Sequence, residues 1–321
     1  MRKLNLFVAI GVFNWEKANL IDSLVDMGHS VTHWDWKAEK YNQYSMDWVS
    51  SKKKEMNEKL LCKISEAHKE KKLDAIVSYL SDPVIDVQYI QEIKNWQIPI
   101  VNFGCNDVHT FERGNIMTAP FFDLNWTTNI AAVDNYKSIN AKVIQTPYGI
   151  NPQFYRVDKR NMPKFAFDIS FIGQPYGYRL PLFFNVVNAG VSYTLMGKVS
   201  YKRLIRTVLE SRVCLGFSGL QNADYRNKAM KQLRLRDFEV PVLGGLYLAE
   251  REPFLTELFE EDKEMLFYGS PEELVEKAVF YSRFKNRKER LVIAKAGQVR
   301  CLNCYTWEKQ FEKVFKTLGV I

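Results

Sequence analysis

Three clusters of residue types in this 321-residue sequence could do chemistry. The first is Phe171-Ile172-Gly173-Gln174-Pro175-Tyr176-Gly177-Tyr178-Arg179, where an apolar strand reaches a glycine-containing turn and then a helix with arginine in its first turn. Such a turn lets backbone N–H groups approach a phosphate, the helix N-terminus favours negative charge, and a guanidinium can fork onto two oxygens. Gly173, Tyr176, Gly177 and Arg179 are therefore candidates for holding phosphate, although an ordinary strand-to-helix loop with a solvated arginine has the same pattern. The second cluster is Arg234-Leu235-Arg236-Asp237-Phe238-Glu239, followed by Val240 to Gly245. A carboxylate at Glu239 can accept paired hydrogen bonds from ribose hydroxyls, and the arginines could meet phosphates. The competing reading is a surface Arg–Glu pair worth under ~1 kcal/mol. The third cluster is Asn102 to His109. Asp107 and His109 could serve as a base for a hydroxyl, since histidine titrates in the useful range. A capping aspartate and a packed histidine fit equally well. His33 and Asp35, two apart on one strand face, are weaker candidates of the same kind.

These residues all follow predicted strands. Leu4–Ile10, Ser30–Trp36, Leu73–Leu80 and Ile98–Phe103 read as strands, with helical spacing over 15–27, 52–72 and 84–95 between them. Val143–Thr146 closes this first set. After a Pro- and Gly-punctuated linker near 152–165, strands recur at Phe167–Ile172, Tyr193–Met196, Val213–Phe217 and Val242–Leu248. Helices follow at 272–284, 288–298 and 307–318. The alternation predicts two doubly wound α/β domains with parallel sheets, which bind ligands beyond the carboxyl ends of their strands. Two such domains facing each other would place those ends in a cleft. The expected boundaries are 1–155, 156–302 and a terminal helix 303–321 that could pack back on the first domain.

Composition narrows the class. With 46% hydrophobic and 26% charged residues the chain is an ordinary globular one, long enough for two cores. No apolar run approaches the ~18 residues of a membrane span. The N-terminus reads as a first strand, not a signal peptide. Five scattered cysteines predict reduced thiols and a cytoplasmic location. Cys301 and Cys304 lack further ligands for a zinc site, so both are expected to be structural. The charge of +8 is uneven: residues 1–155 carry 17 basic and 18 acidic side chains, while eleven Lys and Arg between Tyr178 and Arg236 face only Glu210 and Asp224. Such a stretch suits an anionic partner.

In order along the chain, these pieces resemble the CgeB-like, group 1 type glycosyltransferases. The carriers are Asp168-Ile169-Ser170-Phe171-Ile172-Gly173 with Tyr176 to Arg179, Leu195-Met196-Gly197-Lys198, Arg236-Asp237-Phe238-Glu239 and Gly244-Gly245-Leu246-Tyr247-Leu248. Glu257-Leu258-Phe259-Glu260, Ser270-Pro271-Glu272-Glu273-Leu274 and Tyr305-Thr306-Trp307-Glu308 complete the set. Tyr148 to Phe154 looks like that family's domain linker. The resemblance implies a GT-B fold, with an N-terminal domain for the acceptor and a C-terminal domain for a nucleotide-diphosphate sugar. It places Glu239 on the donor ribose, Gly173 and Arg179 in the diphosphate loop, and Gly197 and Lys198 near the base. One departure stands out: Lys231 occupies the place of a glutamate that related enzymes carry eight positions before Glu239.

The implied activity is transfer of a sugar, of the hexosyltransferase class, to an acceptor hydroxyl on a glycan, a lipid-linked molecule or a protein. Arg and Lys would stabilise the departing diphosphate. No Asp-x-Asp pair is placed for Mg²⁺, so metal independence is expected, and no tightly bound cofactor. A sugar-nucleotide-binding protein without catalysis is the alternative. A nucleic-acid-binding protein fits less well, since no recognised module appears and no nucleic-acid partner is expected. A dinucleotide oxidoreductase is disfavoured because Gly11-Val12-Phe13-Asn14-Trp15-Glu16 lacks two fingerprint glycines. Peripheral contact with anionic lipid is compatible with the basic stretch.

Overall fold

The structure, a computed structural model, describes residues 2–13, 15–157, 164–220 and 231–321. The chain divides into two compact units, Met1–Pro147 with Trp307–Ile321, and Tyr148–Thr306. Each is built on one parallel sheet.

In the first unit, strands β1 (Asn5–Ala9), β2 (Ser30–Trp34), β3 (Ala75–Ser78), β4 (Ile100–Gly104), β5 (Leu124–Thr127) and β6 (Val143–Gln145) lie in the order β2-β1-β3-β4-β5-β6. Helices α1 (Asp22–Asp26, entered through the π-helical turn Lys17–Ile21), α2 (Lys53–Lys71), α3 (Val87–Asn95), α4 (Asp107–Gly114) and α5 (Val133–Ser138) connect them. The buried stripe Met56, Leu60, Ile64 and Ala67 at helical spacing seats α2, despite its charged outer face. Strand β5 has no counterpart among the predicted strands. Leu-Asn-Trp-Thr is short and half polar, and it is buried because Asn125 finds the carbonyls of Ala119 (2.8 Å) and Lys142 (3.0 Å). The turn after β1 is filled by side chains: a Cβ at Gly11 would lie 2.7 Å from the Trp36 ring.

In the second unit, β7 (Phe167–Ile172), β8 (Tyr193–Met196), β9 (Ser211–Leu215), β10 (Tyr247–Glu250) and β11 (Leu266–Tyr268) lie in the order β11-β10-β9-β7-β8. The helices are α6 (Arg179–Val187), α7 (Tyr201–Glu210), α8 (Arg236–Val242), α9 (Pro253–Thr256), α10 (Pro271–Ser282) and α11 (Arg287–Cys304). The expected strand Val242–Leu248 is corrected: Val242 ends α8, Gly244 turns the chain at φ +78°, and β10 begins at Tyr247. Helix α8 is buried nearly all round, so its apolar run lacks helical periodicity. The α11 backbone passes so close that a Cβ at Gly297 would strike the Glu264 carbonyl. Both Cys301 and Cys304 sit on α11, and burial pushes the Cys301 thiol well up. The last helix, α12 (Trp307–Leu318), belongs to the first unit. The Trp307 ring meets Trp15, Phe103 and Trp126 at 5.9–6.1 Å between centroids, and its Nε1 donates to Asn19 Oδ1.

Candidate functional site

At the carboxyl edge of the second sheet, β7 ends at Ile172 and the chain turns through Gly173, Gln174, Pro175, Tyr176 and Gly177, the last at φ +58°. Helix α6 then starts on Arg179, as the sequence predicts. Arg179 is 94% buried against that turn (6% exposed). One guanidinium nitrogen donates to the Gln174 carbonyl (3.1 Å) and another to that of Gly219 (2.5 Å), while the plane lies over the Tyr176 ring at 4.1 Å. Arg234 reaches the same place from the start of α8, donating to the carbonyls of Gly219 (2.8 Å) and Ser218 (3.2 Å). Two cations thus converge on one carbonyl oxygen. Among the described residues their buried Nε atoms have no hydrogen-bond partner, and no carboxylate is bonded to either guanidinium. Burial, and then the neighbouring Arg234, lower the pKa of Arg179.

The turn that accepts both arginines is itself fixed by a carboxylate. Glu250, at the end of β10, receives the Tyr178 hydroxyl (2.7 and 2.9 Å) and the Ser218 N–H (2.5 Å). The Tyr178 hydroxyl oxygen accepts the Gly219 N–H at 2.8 Å. The tyrosine ring lies so close that a Cβ at residue 219 would overlap it, which is why the position must be glycine. Lys231 pairs with Gly219 in an isolated antiparallel bridge, and its ammonium lies 2.6 Å from Glu252 and 3.6 Å from Glu250. The lysine in place of the expected upstream glutamate is therefore buried and neutralised by acids from the end of β10.

Helix α8 carries the other candidates. Glu239 is buried, with one carboxylate oxygen accepting the Tyr155 hydroxyl at 2.5 Å and the other 2.7 Å from Arg236. Asp237 accepts the Arg234 N–H (2.7 Å) and the Tyr247 hydroxyl (3.0 Å), and complete burial pushes its carboxyl up to about 6. Gly197 and Lys198 are exposed just beyond β8. The Gly173 N–H donates to Met196, and a Cβ at Gly197 would lie 3.8 Å from the Gln174 side chain. The diphosphate-loop and base-pocket candidates are thus neighbours. Residues 221–230 of the predicted basic stretch, with Arg226, Lys228 and the acid Asp224, lie outside the described residues, as do Asn14 and Pro163.

In the first unit, Asp107 and His109 are both on the first turn of α4, immediately beyond β4, yet they point apart. Asp107 is 2% exposed; it accepts the Tyr136 hydroxyl (3.1 Å) and the Asn129 amide (3.4 Å), and burial raises its pKa. His109 is exposed. The structure therefore leaves Asp107 tying the end of β4 to α5 rather than facing solvent, and does not bring the two together. His33 donates to the Ile10 carbonyl (2.9 Å), and Asp35 accepts the Val12 and Lys37 N–H groups (3.0 and 3.1 Å). Both hold the turn after β1.

Sequence reasoning missed Glu250 and Glu252. The available signal was an acid closing the otherwise apolar strand Tyr247-Leu248-Ala249-Glu250, which in a buried sheet demands a partner.

Two parallel-sheet α/β units are the architecture of the GT-B class. Among solved structures, the chain is similar to the HepE protein of Anabaena in complex with UDP and glucose, at TM-score 0.60 and 9% identity over 99% of this chain and 100% of that one. It is also similar to a glycosyltransferase of Rickettsia africae (TM-score 0.60, 11% identity, 99% of each chain). A third is an alpha-glucosyltransferase in complex with UDP and a 13-mer DNA containing a central A:G mismatch (TM-score 0.64, 11% identity, 99% of each chain). No curated protein matches the sequence. Residues 157–316 match the family described as glycosyl transferase-like. The chain is thus a transferase of glycosyltransferase type with the GT-B fold.

Proposed function

We propose that this protein moves a hexosyl group from a nucleoside-diphosphate sugar to an acceptor hydroxyl, with the second unit holding the donor and the first the acceptor. The observation that carries the reading is the pair Arg179 and Arg234: two adjacent guanidinium groups that, among the described residues, are hydrogen-bonded to backbone carbonyls and to no carboxylate, and whose excess positive charge a diphosphate would neutralise. In the transition state the sugar–phosphate bond breaks, the sugar gains oxocarbenium character and the diphosphate gains charge. Cations fixed in advance on that diphosphate stabilise the transition state more than the ground state. They do so without a metal ion, which makes transfer metal-independent.

The remaining roles follow from placement. Glu239, matched by resemblance to the ribose-binding acid, has its carboxylate oriented by Tyr155 and Arg236. Gly173, Gly177 and Gly197 leave room for the nucleotide, with Lys198 at its edge. The solvent-facing His109 is the acceptor-side base. Uridine diphosphate is the first nucleotide to test, since HepE and the alpha-glucosyltransferase are described with UDP.

The test is calorimetric titration of UDP, GDP and CDP into wild type, Arg234→Ala and Glu239→Ala, in buffer containing a chelator. One diphosphate should bind, and the loss of a charge-assisted pair should weaken it by about tenfold to a hundredfold in each variant. Failure of all three nucleotides, or variants equal to wild type, would overturn the donor placement. Turnover of the bound sugar nucleotide then separates an enzyme from a sugar-nucleotide-binding protein.

A further inference from the structure

Helix α11 is apolar on two sides, and its packing explains only one. Ile293, Ala294, Gly297 and Cys301 face inward and are buried. Leu291, Val292, Val299 and Leu302 face outward and are 39–62% exposed. With Lys288 and Lys295 they fall at helical spacing along one stripe. The stripe borders an open groove of about 770 Å³, lined by Leu291, Val292, Lys295, Val299, Arg300 and Cys304 among others. At the corner between α10 and α11, Phe280 and Phe284 are also exposed, Phe284 by 78%.

The charge around this apolar surface is mainly positive, and the one acid lining the groove, Glu264, lies 3.6 Å from Arg300. Residues 283–303 contain seven Lys and Arg and a single acid, Glu289. Arg290 is buried on the Tyr281 and Arg283 carbonyls, and Arg300 donates to the Leu258 carbonyl. Arg283, Lys285, Arg287, Lys288 and Lys295 are exposed, and Glu289 is engaged by the Tyr281 hydroxyl.

We propose that this face, the outer stripe of α11 with the Phe280–Phe284 corner, docks on the surface of an anionic lipid bilayer. A helix lying flat in the headgroup layer buries Leu, Val and Phe side chains while flanking Lys and Arg meet lipid phosphates. An 18-residue helix is about 27 Å long, so several cations contact the surface at once. A second copy seated on the same face would set five exposed cations against five. Nucleic acid would satisfy the cations and leave the aliphatic stripe in water. A surface with hydrocarbon beneath anionic groups matches both components.

The test is flotation of the full chain with vesicles of phosphatidylcholine alone and of phosphatidylcholine mixed with phosphatidylglycerol. Wild type should float with the anionic vesicles, at least about tenfold better than with neutral ones, and rising salt should release it. Lys288→Gln with Lys295→Gln removes two cations worth about fivefold each, so partitioning should fall by roughly 25-fold. Leu291→Ser with Val292→Ser should weaken it by at least about tenfold through lost burial. These positions are exposed, so both variants should keep the wild-type circular dichroism and melting temperature. Equal binding to both vesicle types, no binding, or variants that float like folded wild type would overturn the proposal. So would a concentration-dependent dimer, abolished by Leu291→Ser with Val292→Ser, in a wild type that ignores vesicles.

Discussion

The two units share their architecture, parallel strands linked by helices, and differ at the carboxyl edges of their sheets. In the second unit that edge is ionic: Arg179, Arg234, Lys231, Asp237, Glu239, Glu250 and Glu252 are packed into a few turns, and most are buried. In the first unit the corresponding residues are mainly neutral. Asn102 bonds the Leu80 backbone and Ser78, Asn129 bonds the Cys105 carbonyl, and Phe103, Trp126 and Trp307 fill the interior. The charged exceptions are Asp35 and Glu16, which accept backbone N–H groups of the turn after β1, and Asp107, whose neutral form burial favours. The contrast separates two ways of meeting a ligand. One edge is built in advance around charge, at the cost of desolvating it; the other keeps a neutral frame that carries its polar groups on exposed turns.

The contrast can be broken most strongly at Lys231. Glu252→Ala removes the carboxylate 2.6 Å from that buried ammonium, with Glu250 standing 3.6 Å away, so stability should fall by about 3 kcal/mol in denaturant unfolding. Next is Asp237. Its folded pKa of about 6 lies above the unfolded value, so the folded state holds the proton more tightly. Wild type should therefore lose stability as pH rises from about 4 through about 6, by roughly 3 kcal/mol. In Asp237→Asn this pH-dependent loss should vanish, and the difference between the two unfolding curves isolates it from other carboxylates.

A smaller effect tests the ionic edge itself. Glu250→Gln should keep the fold but loosen the Tyr178 and Ser218 contacts that hold the arginine-binding turn. UDP affinity should drop about tenfold, while uridine binding stays unchanged. The smallest is expected in the neutral frame. Asp107→Asn should cost about 1 kcal/mol and leave UDP affinity as in wild type. A collapse of nucleotide binding there would erase the distinction between the edges.

The sequence pattern made the layered α/β architecture legible, because strands buried on both faces and helices with one apolar stripe have distinct periods. It failed where local composition opposes the tertiary role. Leu124–Thr127 is too polar to read as a buried strand, and Val240 to Leu243 is too uniformly apolar to read as a helix. Within the candidate site, Arg179 and Glu239 were legible because glycine turns and neighbouring arginines mark them locally. Glu250 and Glu252 were not. Their partners are Tyr178, after β7, and Ser218 and Lys231, between β9 and α8, which only the β7-β9-β10 order brings together.

Helix α12 gives the first unit a discontinuous address in the gene. Its Trp307 and Phe311 complete a cluster whose other members, Trp15, Phe103 and Trp126, are encoded before residue 127. On the ribosome, those aromatics must wait while all of residues 148–306 are synthesised, at about 5–20 residues per second. The second unit, continuous in sequence, has every residue of its own core available first. Translation order and folding order are thus reversed in this chain: the part made first is the part that finishes last.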